Sequence, residues 1–256
     1  MDFLIFGLEK PKLNFRQDLE RGTVIWCDNE YVLDYDANKP IKWRDIKYKQ
    51  SEMREIDRTP LSESLSVNFE QEWHDVVKEL KGLCQTNVER VFLEKIGQAQ
   101  KNCIVPYDDE ERTYKVLLNR PALIPQVWVN WIHYDPHDKE RAERSHLEPF
   151  RVDFLYQGEN EDGDFKRVIV EIDDIWHIAD IEKGVEDFLK SPEATPSLER
   201  FTEHLRKDRW LRHHGWEVCR FSTLEVEKEN CDYLYFEMQG EAESLGVSPD
   251  YFPHKE

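Results

Sequence analysis

Two stretches in the middle of the chain alternate between apolar and polar residues, the pattern of a half-buried β-strand. Phe150–Gln157 and Phe165–Asp173 are rich in β-branched and aromatic residues. The polar segment between them, Gly158–Asp164, contains Asp162-Gly163, a strong signal for a hairpin turn. The sequence therefore predicts a β-hairpin over 150–173.

Acidic residues fall on one face of this hairpin. Because side chains alternate along a strand, Glu171 and Asp173 share one face and Ile172 lies on the other. One register places Asp153 beside both acids, so that three carboxylates converge. Two like charges about 4 Å apart repel by roughly 4 kcal/mol at an effective dielectric constant of about 20, so such a group retains a proton or binds a cation such as Mg²⁺. The alternative is a set of solvated acids on an exposed sheet face.

Apolar residues at helical spacing predict three helices. The first covers Asn68–Leu83, and the second begins after the N-cap residue Thr86, with Glu89 beside its buried stripe. The position of Glu89 near a helix N-terminus is also explained by the helix dipole alone. The third helix, Ser197–His214, ends at Gly215. Its inward face is predicted to hold Leu198, Phe201, Leu205 and Leu211.

The third helix carries the densest group of basic residues in the chain: Arg200, Arg206, Lys207, Arg209 and Arg212. It is the best candidate for a surface that faces phosphates, with Arg206 and Arg209 as substrate-binding residues. The alternative is a solvated helix face whose arginines form ion pairs with Glu199 and Glu203. Asp208 lies near the inward face, either as an acid that supports a site or as a partner for a neighbouring arginine.

Further strands are predicted at Tyr114–Leu118, Leu123–Trp131 and Trp216–Phe221, and Leu234–Phe236 is expected to add a strand or a helix. Residues 1 to about 60 are rich in short β-like segments separated by turn signals. This part of the sequence indicates a small module for packing or for binding a partner.

The composition narrows the class of protein. The 256 residues are 39% hydrophobic, but no apolar run approaches the roughly 18 residues of a membrane span, and the N-terminus lacks the basic segment of a signal peptide. The 5 cysteines are scattered without a CxxC pair, which argues against a zinc site or disulfide framework and favours a cytoplasmic location. The net charge of −19 repels nucleic acid, so such binding requires a local basic patch, metal ions or a basic partner subunit.

Five strings occur in order over roughly residues 85 to 226: TNVERVFLEKI, LIPQ, RVDF, VIVEIDDIWH and RKDRWLRHHGWEVCRFS. Together they resemble the PD-(D/E)XK restriction-endonuclease-like superfamily, and within it the branch related to very-short-patch-repair endonucleases. The resemblance implies an α/β fold of the α+β type, with a restriction-endonuclease-like core in which helices flank a central mixed β-sheet. The expected domains are a β-rich N-terminal extension (1–65), the nuclease-like domain (66–236) and an acidic C-terminal tail (237–256).

The resemblance also implies a metal site. Asp153 and Glu171 match the residues that bind Mg²⁺ or Mn²⁺ in this superfamily. The backbone of Ile172 and the side chain of Asp173 are further candidate ligands. Glu89, in the first matching helix, would complete or orient the shell of ligands.

One residue departs from the superfamily pattern, which has a lysine where this chain has Asp173. The related branch often carries an aspartate there, so the departure fits the narrower family. Lys207 is the candidate for a migrated lysine. His177 is the alternative base, because imidazole titrates near neutral pH, and it is also a candidate for a phosphate contact. Gln126 would support the site.

The implied activity is that of a metal-dependent endonuclease, which hydrolyses phosphodiester bonds, with DNA as the favoured substrate. The first alternative is a catalytically inactive scaffold of the same fold that binds nucleic acid or protein, as the acidic balance and the absent lysine suggest. The second is a nuclease subunit of a larger defence or transposition complex. In that case the N-terminal extension would contact a protein partner.

Overall fold

The structure is a computed structural model that describes residues 2–9, 13–18, 22–27, 31–36, 38–46, 68–104, 110–129, 150–159, 163–173, 179–181 and 194–240. The strands within these ranges are β1 (Asp2–Phe6), β2 (Leu13–Asp18), β3 (Gly22–Cys27), β4 (Tyr31–Tyr35), β5 (Leu123–Val129), β6 (Phe150–Glu159), β7 (Phe165–Asp173), β8 (Ala179–Ile181), β9 (Ala194–Pro196) and β10 (Glu217–Ser222). The helices are α1 (Phe69–Leu83), α2 (Asn87–Asn102), α3 (Glu110–Leu117), α4 (Leu198–His213), α5 (Thr223–Lys228) and α6 (Cys231–Gln239). None of the helices in these ranges has the length and apolarity needed to cross a membrane.

A mixed sheet of six strands forms the centre of the fold, in the order β10-β7-β6-β5-β1-β4. β5, β6 and β7 form an antiparallel meander, which confirms the predicted hairpin, and β10 joins β7 in parallel. A parallel pair requires a crossover connection, and α4 lies in the connection between β7 and β10. Because helices pack against this mixed sheet, the fold is of the α+β type that the sequence predicts.

α1 and α2 pack against the sheet and confirm two of the predicted helices. The side chains of Asn68 and Thr86 cap their N-termini by accepting backbone hydrogen bonds. The ring of the fully buried Phe92 of α2 lies 5.4 Å from that of Phe154 of β6. It also lies 5.2 Å from that of Phe221 of β10. Phe92 therefore fixes α2 against the two strands on either side of β7.

The strand predicted at Tyr114–Leu118 is wrong, because this segment lies in helix α3 and the turn that follows it. Tyr114, Leu117 and Leu118 are buried, and their spacing of three and four residues is that of one helix face. The aromatic and β-branched residues of this segment favour a strand locally. Packing against α1 and α2 decides the outcome.

The N-terminal residues belong to the central sheet, because β1 pairs with both β5 and β4. Trp43 is fully buried, and its Nε1 donates a hydrogen bond of 2.7 Å to Oε1 of Gln100 in α2. The predicted N-terminal extension therefore shares its sheet and core with the predicted nuclease-like domain, and the boundary at 65/66 lies outside the described residues. At the other end, α6 continues across the predicted boundary at 236/237 and buries Met238.

α4 faces the sheet with polar side chains, contrary to the prediction. Of the four apolar residues expected to point inward, only Leu211 is buried. The other three, Leu198, Phe201 and Leu205, are 77%, 49% and 42% exposed. The half-buried positions His204, Lys207 and Asp208 share the face of Leu211 instead. The hydrophobic pattern misassigned this face because α4 crosses a polar site.

Candidate functional site

Asp153 lies on β6, one residue beyond the last pair that joins β6 to β7, which is Phe154 with Val170. Its Oδ2 accepts a hydrogen bond of 2.7 Å from the backbone N–H of Ile172. The Asp153 side chain thereby gives the N–H of Ile172 a hydrogen-bond acceptor at the point where β6 and β7 separate and no backbone acceptor of β6 is paired with it. It lies close enough to Glu171 for the two charges to interact. The structure thus brings these two carboxylates together, as the sequence predicts.

Glu171 lies on β7 between Asp153 of β6 and Arg220 of β10, and Arg220 is its direct partner in the parallel register. Burial raises the pKa of Glu171 well above its usual range, and the negative charge of Asp153 raises it further. The positive charges of Arg220 and Lys207 act in the opposite direction. The Glu171 carboxyl therefore favours a bound proton or a bound cation over an isolated negative charge.

Asp173 and Asp208 bind the guanidinium of Arg220. Nη1 of Arg220 donates to both carboxylate oxygens of Asp173 at 2.9 Å. Its Nη2 and Nε donate to Asp208 Oδ1 at 2.6 Å and Oδ2 at 3.2 Å. Nδ1 of His204 lies 3.3 Å from Nη1. Asp208 is therefore a partner for a neighbouring arginine, one of the two roles that its sequence position allows.

The negative charges of Asp153 and Asp173 both act on Glu171, so the three carboxylates predicted to converge lie in one region of the structure. Asp173, on the same side of β7 as Glu171, pairs with Arg220. In the part of the chain that the structure describes, no group of three or more His, Cys, Asp or Glu side chains is placed to hold a metal ion. Asp153 and Glu171 remain as the adjacent pair.

Glu89 is 4% exposed and lies at the N-terminus of α2, where its two carboxylate oxygens accept hydrogen bonds. Oε2 accepts from the backbone N–H of Gln85 and from Nε2 of Gln126, both at 2.7 Å. Oε1 accepts from Oγ1 of Thr86 at 3.1 Å. Through these contacts Glu89 holds the start of α2 against β5. This agrees with the predicted role of orienting the metal ligands, and equally with the alternative that Glu89 only stabilises the N-terminus of the helix.

Gln126 is fully buried on β5 and is the one residue other than glycine with a positive φ (54°) in the described ranges. Gln126 lies between the strand pairs Pro125 with Phe154 and Val127 with Val152, opposite Asp153 but outside the paired register. Its backbone carbonyl accepts a hydrogen bond of 2.9 Å from the N–H of Gly7. Its Oε1 has no hydrogen-bond partner among the described residues. Backbone strain of this kind costs about 1–3 kcal/mol and is concentrated at functional sites.

The basic residues of α4 point in two directions. Lys207 faces the sheet, where its Nζ lies 5.5 Å from the centre of the Phe150 ring and its charge acts on Glu171. Arg206 and Arg209 are exposed. At 100° per residue they lie on the side of the helix opposite the face that His204, Asp208 and Leu211 share. The Lys207 side chain is thus brought to the carboxylates, and the two arginines are not.

One predicted residue of this site lies outside the described part of the chain, and one residue that the structure places in the site was not predicted. His177 lies outside the described residues. Arg220 was not among the predicted site residues, although a charged residue within the otherwise apolar strand VCRF is an available signal. Comparisons of the chain with protein-family models, with curated proteins and with solved structures find no match.

Proposed function

We propose that this protein is a metal-dependent nuclease that hydrolyses phosphodiester bonds, with DNA as the favoured substrate. The observation that carries the proposal is the adjacent pair Asp153 and Glu171, placed where β6 and β7 separate, with Lys207 beside them. The element order also agrees with the restriction-endonuclease-like core that the sequence resembles. It runs α2, the antiparallel strands β5, β6 and β7, α4 and the parallel strand β10, with α3 inserted between α2 and β5 and with β8 and β9 inserted between β7 and α4.

The chemistry of the site fits a hard divalent cation. Mg²⁺ and Mn²⁺ prefer oxygen ligands and are often held by one or two carboxylates together with substrate phosphates. Asp153 and Glu171 would supply these carboxylates and the backbone carbonyl of Ile172 a third oxygen. Asp173 is left out because Arg220 occupies its oxygens. When bound, such a cation activates water and stabilises the charge that develops on the phosphate.

The other residues of the site have supporting roles in this proposal. Glu89 and Gln126 hold α2 and β5 together next to Asp153. Lys207 places a positive charge near the reacting phosphate, the task that the missing lysine at position 173 would otherwise have. Arg220 keeps Asp173 and Asp208 in fixed positions.

Cleavage assays with plasmid, linear duplex DNA, single-stranded DNA and RNA test the proposal directly. We expect turnover of at least one substrate with Mg²⁺ or Mn²⁺ and none after chelation with EDTA, because the cation activates the attacking water. Turnover that persists in EDTA would contradict a metal-dependent mechanism. Calorimetric titration with Mn²⁺ separates a site that binds metal without turnover from a site that binds no metal.

The two faces of α4 give a second test. Lys207→Ala is expected to lower kcat by roughly 10²-fold with little change in substrate affinity, because Lys207 lies at the carboxylates and the loss of a charge aimed at the transition state costs about that much. Single-turnover kinetics at saturating substrate measure the effect.

Arg206→Ala combined with Arg209→Ala is the matched control on the outer face of the same helix. If this face contacts phosphates, the pair of substitutions weakens binding and lowers the slope of log K against log salt by about 2, with kcat retained. An unchanged slope would remove this surface from the substrate path. An unchanged kcat for Lys207→Ala would reject the migrated lysine.

A catalytically inactive scaffold is the second candidate function. It is favoured by the absence of a three-residue metal cluster among the described residues and by the net charge of −19, which calls for a basic partner. A larger complex in which that partner binds nucleic acid is compatible with either candidate. No cleavage of any substrate and no heat of Mn²⁺ binding would favour the scaffold.

A further inference from the structure

The pairing of the central sheet is interrupted on both sides of Asp153. On the side of β7, the Asp153 carboxylate accepts the hydrogen bond of the Ile172 N–H at 2.7 Å. On the side of β5, Gln126 lies opposite Asp153 but outside the paired register, with a φ of 54°. The carbonyl of Gln126 is bonded instead to the N–H of Gly7, which follows β1. Both neighbours of β6 therefore leave the regular ladder next to the proposed cation site.

The side-chain amide of Gln126 has a hydrogen-bond partner at its nitrogen and none at its oxygen. Nε2 donates to Oε2 of Glu89 at 2.7 Å. Because an ionised carboxylate can only accept hydrogen bonds, Glu89 selects the NH₂ group of the amide and leaves the oxygen on the other branch. Gln126 is fully buried, and its Oε1 has no hydrogen-bond partner among the described residues. A buried carbonyl oxygen without a partner is costly, so this oxygen favours an electropositive ligand.

Glu89 offers fewer free acceptor positions than Gln126. Its two carboxylate oxygens already accept hydrogen bonds from the backbone N–H of Gln85, from Nε2 of Gln126 and from Oγ1 of Thr86. A carboxylate has about four lone-pair positions, so these three donors fill most of them. Carbonyl oxygens, like carboxylates, suit Mg²⁺ and Mn²⁺. Within this pair of residues, the oxygen available to a cation is therefore that of Gln126.

We propose that Oε1 of Gln126 is an oxygen ligand of the divalent cation at Asp153 and Glu171, and that Glu89 orients this ligand. The inference rests on the proposed function, because the cation is the one described there. It adds a neutral oxygen from β5 to the carboxylates of β6 and β7. It also accounts for the positive φ of Gln126, since strained backbone of this kind is concentrated at binding and catalytic sites.

Calorimetric titration of the full chain with Mn²⁺ tests the inference without a measurement of activity. Gln126→Met keeps a long side chain at this buried position and removes its oxygen. We expect the Mn²⁺ affinity to fall by about tenfold or more, since the loss of groups that only orient metal ligands already costs that much. We also expect the bound Mn²⁺ to carry one more water molecule, which the relaxation rate of water protons detects. A residue that only supports the fold would leave the number of waters unchanged.

Gln100→Met is the matched control, because Gln100 is a second buried glutamine with both ends of its amide bonded. Its Oε1 accepts from Nε1 of Trp43 at 2.7 Å, and its Nε2 donates to the carbonyl of Pro121 at 2.8 Å. The substitution is expected to lower Tm and to retain the Mn²⁺ affinity and the water count of the wild-type protein. It thereby separates a loss of stability from the loss of a ligand.

The double substitution Glu89→Gln with Gln126→Glu serves if Gln126→Met does not fold. It conserves the net charge and the hydrogen bond between the two positions, with the donor now at position 89. Because the affinity of such sites follows the number of charged ligands, a carboxylate at position 126 is expected to raise the Mn²⁺ affinity by about tenfold. A residue that only joins α2 to β5 predicts no gain from this exchange.

The outcomes distinguish this inference from the proposed function. Wild-type Mn²⁺ affinity and water count in Gln126→Met, or no gain in affinity from the double substitution, would overturn the inference and leave the cation site of Asp153 and Glu171 intact. A wild-type protein that binds no Mn²⁺ would overturn both. A chain that binds Mn²⁺ through Gln126 and cleaves no substrate would retain the inference and lose the nuclease.

Discussion

Asp153→Asn is expected to lower the rate of phosphodiester cleavage by roughly 10³-fold, because it removes one of the two carboxylates that would hold the cation. A bound metal ion contributes several kcal/mol of transition-state stabilisation, and each 1.4 kcal/mol corresponds to about tenfold in rate. The amide of asparagine can still accept the hydrogen bond from the backbone N–H of Ile172, so the end of the β6–β7 ladder is preserved. The loss therefore reports on charge and metal binding.

Asp164→Asn provides the matched control for this substitution. It makes the same chemical change in the same hairpin, but at an exposed position of the turn. We expect its rate and Mn²⁺ affinity to equal those of the wild-type protein, whereas Asp153→Asn loses both. Equal rates for the two variants would remove Asp153 from the mechanism.

The sequence predicts those parts of the fold in which local pattern and packing agree. The hairpin of β6 and β7 has alternating residues, a strong turn and a buried apolar face, and it is observed as predicted. α1 and α2 have clear stripes and caps and are also observed as predicted. The segment that became α3 carries conflicting signals, since its aromatic and branched residues favour a strand while its spacing suits a helix.

The candidate site was predicted where acidic residues lie on the two strands of one hairpin, and it was missed where contacts join elements that are far apart in the sequence. Asp153 and Glu171 meet because the register of the hairpin, which the sequence largely determines, places them together. The contacts of Arg220 depend on the parallel pairing of β10 and on the rotation of α4, and neither is encoded in the local pattern. The pairing of Asp173 with Arg220 was missed for this reason, since Arg220 lies far away in the sequence.

The local sequence pattern also fails to predict which face of α4 points toward the sheet. A stripe of apolar residues normally marks the buried side of a helix, but here three members of the stripe are exposed while His204 and Lys207 face the sheet. A helix over a catalytic or binding site must bring polar groups inward, so the hydrophobic pattern misleads where function overrides packing. This mismatch supports the proposal that the region beneath α4 is a functional site.

Glu171→Gln is expected to abolish cleavage and at the same time to stabilise the protein at neutral pH. Burial and the neighbouring Asp153 raise the pKa of Glu171 in the folded state well above its value in the unfolded chain. A raised pKa means that folding favours the protonated form, so this contribution to stability is fully present below the unfolded pKa and is lost as the pH rises through the folded pKa. Above that window the ionised carboxylate destabilises the protein without metal.

The size of this effect can be estimated from the general cost of burying an uncompensated polar group, about 1–3 kcal/mol. For a chain of this length each kcal/mol corresponds to roughly 2–4 °C in Tm. Thermal melts of the metal-free protein across the acidic to neutral range should therefore show a Tm that falls with pH for the wild-type protein and a flatter profile for Glu171→Gln. Because the negative charge of Asp153 raises the pKa of Glu171, the slope depends on both acids, and the glutamine variant removes their interaction.

Glu159→Gln is the control, because it makes the same change at an exposed position at the end of β6. It should retain the wild-type dependence of Tm on pH. Mn²⁺ gives a further contrast, since a ligand that binds only the folded state raises Tm by an amount that grows with the logarithm of its concentration relative to its Kd. The cation should restore the stability of the wild-type protein at neutral pH, and it should have little effect on Glu171→Gln. A wild-type pH profile in Glu171→Gln, or an equal Mn²⁺ response in the two proteins, would show that Glu171 does not form the cation site.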